Sequence, residues 1–369
     1  TFYRYVAVIG YNEQTAAIVK QALSRKDVKY VLIQTRQPVE QVREHLDLCL
    51  DRREEQKVVL YYAERTSKED IQLLHLDRAV EIYVLGEDMS FENEEDHDAF
   101  NINCLELISR SLQGGHTDNR KKCHVNFEYQ STFTAFKAAQ IYQDLDKVIE
   151  FIPFNIHEIW AKKVLSDNFA IIPKERRGEF DVQKYYPIDT YLDGDERKHI
   201  TYDSVGDNAK SVHVIIAGMN QMGTAFGLQV ALLAHYPNFM RDHNLRTTIT
   251  FIDDHAVDEG AYFRGRFSSL FCLCRYRTID CKKESLKYGS EEHPYVDPLQ
   301  EEAFKHLRTE DDNFLDIQWE FIQGNIASKE ITQYILDAAL DAKQTTTVAI
   351  CFNHPQQSIA TALYLPGLV

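Results

Sequence analysis

The residues most able to take part in chemistry lie in two glycine turns, each of which follows a short apolar run. The later turn, residues 218–223, has the sequence GMNQMG and keeps Gly218 and Gly223 at the first and third glycine positions of G-x-G-x-x-G, with Asn220 at the middle one. Only glycine lets the backbone approach a pyrophosphate while the N–H groups of the following helix point at it. This turn predicts a nucleotide site, and the alternative is a purely structural turn.

A carboxylate follows the later turn at the end of the next apolar run. Asp253 could accept hydrogen bonds from ribose hydroxyls, although it lies 35 residues (253 minus 218) after Gly218, whereas the usual spacing is ~20. The earlier turn, residues 10–15, keeps only Gly10, and its next run ends in Gln34-Thr35 without a carboxylate. A structural role is therefore favoured for the earlier turn.

Both turns carry asparagine at the middle position, Asn12 and Asn220. Asparagine tolerates a left-handed backbone and could offer its side-chain amide to a phosphate. We therefore keep both as candidate ligand residues, with Gly10 and Asn12 the weaker pair.

An acidic stretch at residues 92–98 contains the candidate metal ligands Glu94, Glu95 and Asp96. Ca²⁺ prefers several such oxygens, but the spacing fits no EF-hand loop. A solvated acidic loop that favours the start of the following helix is the preferred interpretation. Cys272, Cys274, Cys281 and His293 are likewise interpreted as ordinary side chains rather than zinc ligands, because the Cys-x-Cys lies in an apolar run.

The motifs of common enzymes are missing from the sequence. It contains no Gly-x-Ser-x-Gly elbow, His-Glu-x-x-His helix or phosphate-binding Walker loop, and therefore offers no nucleophile or general base to assign. We expect a protein that is not an enzyme. The alternatives are an NAD(P)-dependent oxidoreductase, suggested by Gly218, Gly223 and Asp253, and a structural assembly module without a ligand.

The elements that would position these residues alternate between apolar strands and amphipathic helices. Strands are predicted near 5–10, 30–33, 58–62, 81–86 and 124–129, and the pattern starts again with 213–218, 248–253 and 317–322. Such alternation is typical of parallel sheets covered on both faces. The fold class expected is α/β, with two Rossmann-like, doubly wound domains in tandem.

A repeated tripeptide supports the similarity of the two units. Ser67-Lys68-Glu69 follows the third predicted strand of the first unit, and Ser328-Lys329-Glu330 follows residues 317–322, which we interpret as the third strand of the second. The expected domains are 1–165, a linker or irregular subdomain at 166–210, and 211–369 with insertions. We expect the chain to be a fragment of a longer protein, truncated within its second domain.

Composition and charge exclude several classes of partner. The formal net charge is −16 and no apolar run approaches the ~18 residues of a membrane span, so neither nucleic acid nor direct membrane insertion is expected. Seven scattered cysteines are typical of reduced thiols in the cytoplasm.

The order of features resembles the RCK (TrkA-N) domains that regulate potassium channels and transporters. The resemblance rests on the first strand to Gly10, on 67–71 leading into 76–79, on the strand to Gly86 followed by 98–102, and on 151–155 with 159–161. It covers roughly 1–165 and, less closely, 211–369. Two such units in one chain are similar to the gating-ring half of calcium-activated and Castor/Pollux-type channels, and to bacterial proteins that join TrkA-N units to a ryanodine-receptor-type repeat.

This resemblance implies a cytoplasmic regulatory module that senses a nucleotide or a cation and acts on a potassium channel or transporter. It implies a homo-oligomer, with a membrane subunit or a domain outside this chain as partner. NAD(H) or another adenine nucleotide is the cofactor it implies, with Ca²⁺ the weaker candidate. It also places Asn325, in the loop after the third strand, with Gly218, Asn220, Gly223 and Asp253 in the nucleotide site.

Overall fold

The computed structural model describes residues 4–88, 94–113, 120–129, 132, 136, 139–145, 147–166, 211–235, 239, 242–297 and 316–365. The chain divides into two compact units, Thr1–Ile156 and His157–Val369. Nearly all of the predicted linker at 166–210, and the later part of the insertion before the strand at 317–322, lie outside the described residues.

The first unit is built on a parallel six-stranded sheet in the order β3-β2-β1-β4-β5-β6. Its strands are β1 (Tyr5–Ile9), β2 (Tyr30–Thr35), β3 (Val58–Tyr62), β4 (Ala79–Val84), β5 (Lys121–Asn126) and β6 (Ile149–Phe154). Its helices are α1 (Thr15–Ser24), α2 (Val39–Cys49), α3 (Arg52–Glu55), α4 (Lys68–Leu73), α5 (Glu94–Leu112) and α6 (Gln140–Leu145), with a 3₁₀ turn at Leu76–Arg78.

Helices cover both faces of this sheet because the apolar side chains of β1 alternate between two cores. Val6 and Val8 pack with Leu46 of α2, whereas Ala7 and Ile9 pack with Leu105 of α5 on the other face. A strand buried on both faces needs apolar residues at every position, which is why β1 forms a continuous apolar run.

The second unit contains a parallel five-stranded sheet in the order β11-β7-β8-β10-β9. Its strands are β7 (Ser211–Ala217), β8 (Thr247–Asp253), β9 (Arg275–Asp280), β10 (Ile317–Gln323) and β11 (Gln344–Ile350). Its helices are α7 (Ile156–Ser166), α8 (Gln221–Leu233), α9 (Ala256–Arg266), α10 (Ser268–Phe271), α11 (Lys329–Leu340) and α12 (Pro355–Tyr364). The predicted fold class is confirmed: the chain is an α/β protein with two Rossmann-like parallel sheets.

Two cores also flank the second sheet. Phe226 of α8, Phe263 of α9 and Trp319 of β10 lie in one of them, and Tyr334 of α11 lies in the other. Helix α7, which the sequence pattern groups with the first unit, contributes its fully buried Ala161 to the first of these cores.

The two sheets share one four-strand arrangement. The order β3-β2-β1-β4 in the first corresponds to β10-β8-β7-β11 in the second, and the repeated tripeptides begin the helices that follow β3 and β10. Ser67 accepts a hydrogen bond from the N–H of Asp70 and Ser328 from that of Ile331, so both serines cap a helix. The tripeptides therefore occupy equivalent positions.

Strand β9 is not among the strands predicted from the sequence, in which residues 317–322 are the third strand of the second unit. Residues 275–280 form a strand that precedes β10 in the chain and pairs with it at the edge of the sheet. Its sequence, RYRTID, lacks the apolar alternation of a half-buried strand. In space β10 nevertheless takes the third place, directly beside β8.

Within the described ranges, no helix combines the length and the apolar character needed to cross a bilayer.

Candidate functional site

The glycine turn after β7 is shaped by close backbone contacts. Gly218 has φ +103°, and a Cβ at this position would lie 2.3 Å from the carbonyl oxygen of Cys351, which follows β11. A Cβ on Gly223 would lie 2.1 Å from the carbonyl oxygen of Gly218. Both distances are far below any van der Waals contact, so the turn requires glycine at both positions predicted from the sequence.

Asn220 caps the N-terminus of α8. Its backbone is extended, with φ −73° and ψ −177°, and its Oδ1 accepts the N–H of Gly223 at 2.9 Å. Its Nδ2 donates to Oδ1 of Asn353 at 2.6 Å. The left-handed backbone that asparagine tolerates is not adopted here, because an N-cap residue accepts helix N–H groups from an extended backbone.

Asp253 lies beside the same turn, at the end of the neighbouring strand β8. Its Oδ2 accepts the backbone N–H of Met219 at 3.0 Å and its Oδ1 accepts that of His255 at 2.9 Å. Since each carboxylate oxygen has two acceptor positions, these two hydrogen bonds leave capacity for further donors. The structure therefore brings the predicted carboxylate and the predicted turn together.

Asn325 lies at the same edge of the second sheet. The backbone N–H of the preceding Gly324 donates to the carbonyl oxygen of Asp253 at 3.0 Å. The exposed Asn325 accepts the N–H of Ala327 through its Oδ1 at 2.9 Å, as an Asx turn. Gly218, Asn220, Gly223, Asp253 and Asn325 thus lie around the carboxyl ends of β7, β8 and β10.

The strand order places a topological switch point at this edge of the sheet. Strand β7 lies between β8 and β11, so the chain reverses its direction of progress across the sheet at β7. In open α/β sheets such a switch point leaves a crevice outside the carboxyl ends of the strands. Helix α8 begins here, and the positive end of its dipole favours an anion.

The first glycine turn has a similar backbone but a different side-chain environment. Gly10 has φ +91°, and a Cβ there would lie 2.3 Å from the carbonyl oxygen of Gly86. Asn12 is buried, and its Oδ1 accepts the N–H of Gln14 at 3.1 Å. Its backbone is not left-handed either, since His75 is the only described non-glycine residue with positive φ.

Glu87, which the sequence analysis did not identify, fills the space beside this turn. The residue is 3% exposed, and its carboxylate accepts hydrogen bonds from the N–H groups of Tyr11 and Arg36, the hydroxyl of Thr35 and the amide of Gln37. Glu87 therefore supplies, from the segment after β4, the carboxylate that β2 lacks. No sequence motif marks it, because its partners lie roughly 50 to 76 positions away.

His97 and Asp98 form a second buried polar pair in the first unit. His97 Nε2 lies 3.0 Å from the carbonyl oxygen of Leu85, and its Nδ1 lies 3.1 Å from Oδ1 of Asp98. Asp98 also accepts the N–H groups of Glu128 and Tyr129 at 2.8 and 3.1 Å. This pair ties the start of α5 to the ends of β4 and β5.

Protonation of His97 is favoured by these neighbours. Burial opposes the charge, but the hydrogen bond to Asp98 and the charges of Glu128 and Asp98 outweigh it, so the pKa of His97 is raised above its usual value. An imidazolium donates from both ring nitrogens, which matches the two acceptors. The adjacent His-Asp was visible in the sequence, although only as part of the acidic stretch.

The candidate metal ligands lie at the start of α5. Asp96 is exposed, and the side chains of Glu94 and Glu95 lie outside the described residues. In the part of the chain that the structure describes, no three His, Cys, Asp or Glu side chains are grouped so that they could hold a metal ion. Cys272, Cys274 and Cys281 are free thiols, and burial raises the pKa of Cys274 to about 12.

The second unit also contains a buried carboxylate, Glu320 in the middle of β10. Its Oε1 accepts Nε of Arg277 at 2.8 Å and the hydroxyl of Tyr295. Its Oε2 accepts the hydroxyl of Thr250 at 2.6 Å and that of Tyr334. Arg277, Glu320 and Thr250 lie side by side across β9, β10 and β8. The single charged residue in the strand sequence IQWEFIQ was the signal that could have identified this cluster.

Glu320 stays ionised because its donors outweigh its burial. Desolvation alone would raise the pKa of its carboxyl, but the charge of Arg277 and the surrounding donors lower that pKa to about 2. Thr250 donates its single hydroxyl hydrogen to Glu320. The hydroxyl oxygen therefore accepts a hydrogen bond from His213 Nε2, 2.7 Å away. His213 is buried, which lowers its pKa and agrees with a neutral ring.

Comparisons with known proteins identify no family. No family model and no curated protein matches the sequence. Among solved structures, the chain is similar to one described as the structure of the human SLO3 gating ring, with 9% sequence identity and a TM-score of 0.39. The match covers 71% of this chain and 61% of the other.

Proposed function

We propose that the chain is a regulatory module without catalytic activity, which binds a nucleotide at the glycine turn of its second unit. The observation that carries this proposal is the hydrogen bond from Met219 N–H to Asp253 at 3.0 Å. It places a half-exposed carboxylate next to a turn that requires glycine at Gly218 and Gly223. These are the two parts that a dinucleotide site needs.

Each part has a chemical role toward NAD(H) or another adenine nucleotide. The turn and the N-terminal end of α8 would hold the phosphates through backbone N–H groups and the helix dipole. Asp253 would accept ribose hydroxyls with the capacity that Met219 and His255 leave unused. Asn220 and Asn325 would contact the ligand from either side, with Nδ2 of Asn220 donating to phosphate in place of Oδ1 of Asn353.

The first unit has a different role in this proposal. Glu87 already accepts hydrogen bonds from the N–H of Tyr11, the hydroxyl of Thr35 and the N–H of Arg36. Its negative charge would also repel a phosphate. Gly10 and Asn12 are therefore the weaker site. We assign the first unit to assembly or force transmission.

The effector follows from the resemblance of the sequence to RCK domains. We propose a cytoplasmic homo-oligomer acting on a channel or transporter, potassium being the ion, through a membrane subunit or a domain outside this chain. A ligand acts in such a module by binding one packing of the units more tightly than another. Ca²⁺ is the weaker alternative ligand.

Calorimetric titration of the chain with NADH, NAD⁺, ATP, ADP and Ca²⁺ tests this function. We expect binding of one nucleotide, and we expect Asp253→Asn to weaken it about tenfold while preserving an acceptor for Met219. Asp254→Asn, at the adjacent exposed carboxylate, is the matched control and should bind as the wild type does. Absence of binding at about 1 mM of every ligand would remove the sensing function.

The competing function is an NAD(P)-dependent oxidoreductase, which the same turn and carboxylate would serve. It requires a lysine, histidine or tyrosine placed to exchange a proton beside the nicotinamide. If NADH binds, incubation with a panel of carbonyl compounds should leave its absorbance unchanged. Substrate-dependent oxidation of NADH would favour the enzyme over the regulatory module.

A further inference from the structure

A cavity of about 580 Å³ opens at the opposite edge of the second sheet from the glycine turn. Its walls include Ser211, Thr248, Arg275 and Gln344, which lie at the amino-terminal ends of four strands, together with the 288–295 loop. Its volume lies within the range of small-molecule sites, ~300–1,000 Å³. Neither the glycine turn nor Asp253 lines it.

At the inner wall of this cavity, the charges of Glu320 and Arg277 neutralise each other. Glu320 accepts hydrogen bonds from Arg277, Thr250, Tyr295 and Tyr334. Arg277 is occupied in the same way, since its Nη1 also donates to the carbonyl oxygens of Ser290 and His293 at 3.3 and 3.2 Å. The ion pair of Arg277 and Glu320 therefore forms the inner wall of the cavity and leaves neither carboxylate oxygen of Glu320 free to bind a cation.

Two further guanidinium groups, those of Arg275 and Arg246, also line the cavity. Arg275 lies two residues before Arg277 on β9 and so faces the same side of the sheet. Its guanidinium carbon is 5.1 Å from the centroid of the Tyr295 ring, and its buried Nε has no hydrogen-bond partner among the described residues. A buried donor without a partner costs free energy, which a bound acceptor would recover.

Arg246 is the second of these groups. Its guanidinium lies 5.2 Å from the centroid of Phe239 and donates to the carbonyl oxygen of His243. Burial and the positive charge of Arg275 lower the pKa of Arg246, while the charges of Asp297 and Asp316 act in the opposite direction. Of the carboxylates lining the cavity, Asp341 accepts the Tyr288 hydroxyl at 2.9 Å and Glu291 is exposed.

We propose that this cavity binds a small organic anion through a phosphate or carboxylate group held by Arg275 and Arg246. The forked guanidinium groups match the geometry of either oxyanion. The rings of Tyr295 and Tyr288 give the bound molecule an apolar wall. The site is separate from the proposed nucleotide crevice, because it lies at the amino rather than the carboxyl ends of the same strands.

Titration of the 369-residue chain with inorganic phosphate and, separately, with citrate tests the proposal. We expect saturable binding of at least one probe below about 10 mM, and the better probe distinguishes a phosphate ligand from a carboxylate ligand. Arg275→Gln should weaken this binding about tenfold or more, because it removes a charged fork. Arg264→Gln is the matched control, since Arg264 also lies over a ring, 4.4 Å from Tyr276, but does not line the cavity.

A parallel variant keeps the test valid if Arg275→Gln fails to fold. Arg275→Lys preserves the positive charge and loses only the forked geometry. This single variant should therefore weaken binding less than the double variant Arg275→Lys with Arg246→Gln. Failure of both probes to bind, or equal affinity in the wild type and the Arg275 variants, would overturn the proposal. Inorganic phosphate can also bind at the glycine turn, so the readout for the cavity is the difference between the wild type and the Arg275 variants. That difference does not depend on nucleotide affinity, and the two proposed sites can therefore fail independently.

Discussion

The carboxylate of Glu87 accepts the backbone N–H of Tyr11, the residue after Gly10 in the first glycine turn, at 3.3 Å. The equivalent N–H in the second unit, that of Met219, donates to Asp253. Both turns thus place a carboxylate against the same backbone group, but Glu87 comes from the segment after β4 and Asp253 from the end of β8. Glu87 is buried and surrounded by donors, whereas Asp253 is partly exposed.

Glu87→Gln should destabilise the first unit. The amide keeps one acceptor oxygen and turns an NH₂ group toward donors, so buried hydrogen bonds are lost at a cost of about 1–3 kcal/mol. Urea unfolding, followed by a probe on the first unit, measures the change. Glu13→Gln, at an exposed position near the same turn, should leave the midpoint unchanged. Equal midpoints for all three proteins would show that Glu87 does not hold this turn.

Gly223→Ala should destabilise the second unit by about 1–3 kcal/mol, because the new Cβ forces the backbone of the turn apart. Gly265→Ala is the matched control, since a Cβ there meets nothing within 4 Å. That residue lies within helix α9, so alanine should stabilise it by up to about 1 kcal/mol. Thermal melts of both variants supply the comparison, and similar shifts in both would contradict the close contact.

Stability of the first unit should fall as the pH rises through the raised pKa of His97. A group whose pKa is raised in the folded state contributes stability below its unfolded pKa, about 6.5, and loses that stability as the pH rises through the folded value. His97→Gln should remove this pH dependence, as measured by unfolding midpoints from pH 6 upward. His75→Asn is the control, because His75 is exposed with φ +50° and asparagine tolerates that backbone. A pH profile unchanged by His97→Gln would rule out a charged His97.

Glu320→Gln should strongly destabilise the second unit, by about 3–5 kcal/mol, since it leaves the charge of Arg277 buried without its partner. In the wild type, the pKa of about 2 means that Glu320 contributes stability above its unfolded pKa and loses it as the pH falls from about 4.5 toward 2. Acid unfolding of wild type and variant checks both statements. Glu330→Gln, at an exposed carboxylate, should change stability by no more than about 0.5 kcal/mol.

A double variant separates the ion pair from the surrounding packing. Replacing Arg277 and Glu320 together by methionine should cost less than Glu320→Gln alone, because no uncompensated charge remains. A double variant less stable than the single one would mean that Glu320 acts mainly through Tyr295, Tyr334 and Thr250.

The fold class was predictable because it depends on local patterns. Apolar strands followed by helices recur along the chain, and Gly10 and Gly218 mark the ends of two strands with φ values of +91° and +103°. Asp253 was predictable for the same reason, as it ends an apolar strand. Strand β9 was not, because its inward Arg277 is neutralised by Glu320, 43 residues away in sequence.

The sequence by itself determined the two α/β units, the positions that require glycine and the acidic residue beside the second turn. These features depend on backbone conformation and on periodicities that span only a few residues. Only the tertiary structure decided that Glu87 fills the first turn, that Asn220 caps a helix, and that Arg275 and Arg246 share a cavity. Those relationships join strands that are distant in sequence, and their energies depend on burial and on hydrogen-bond partners that exist only once each sheet has formed.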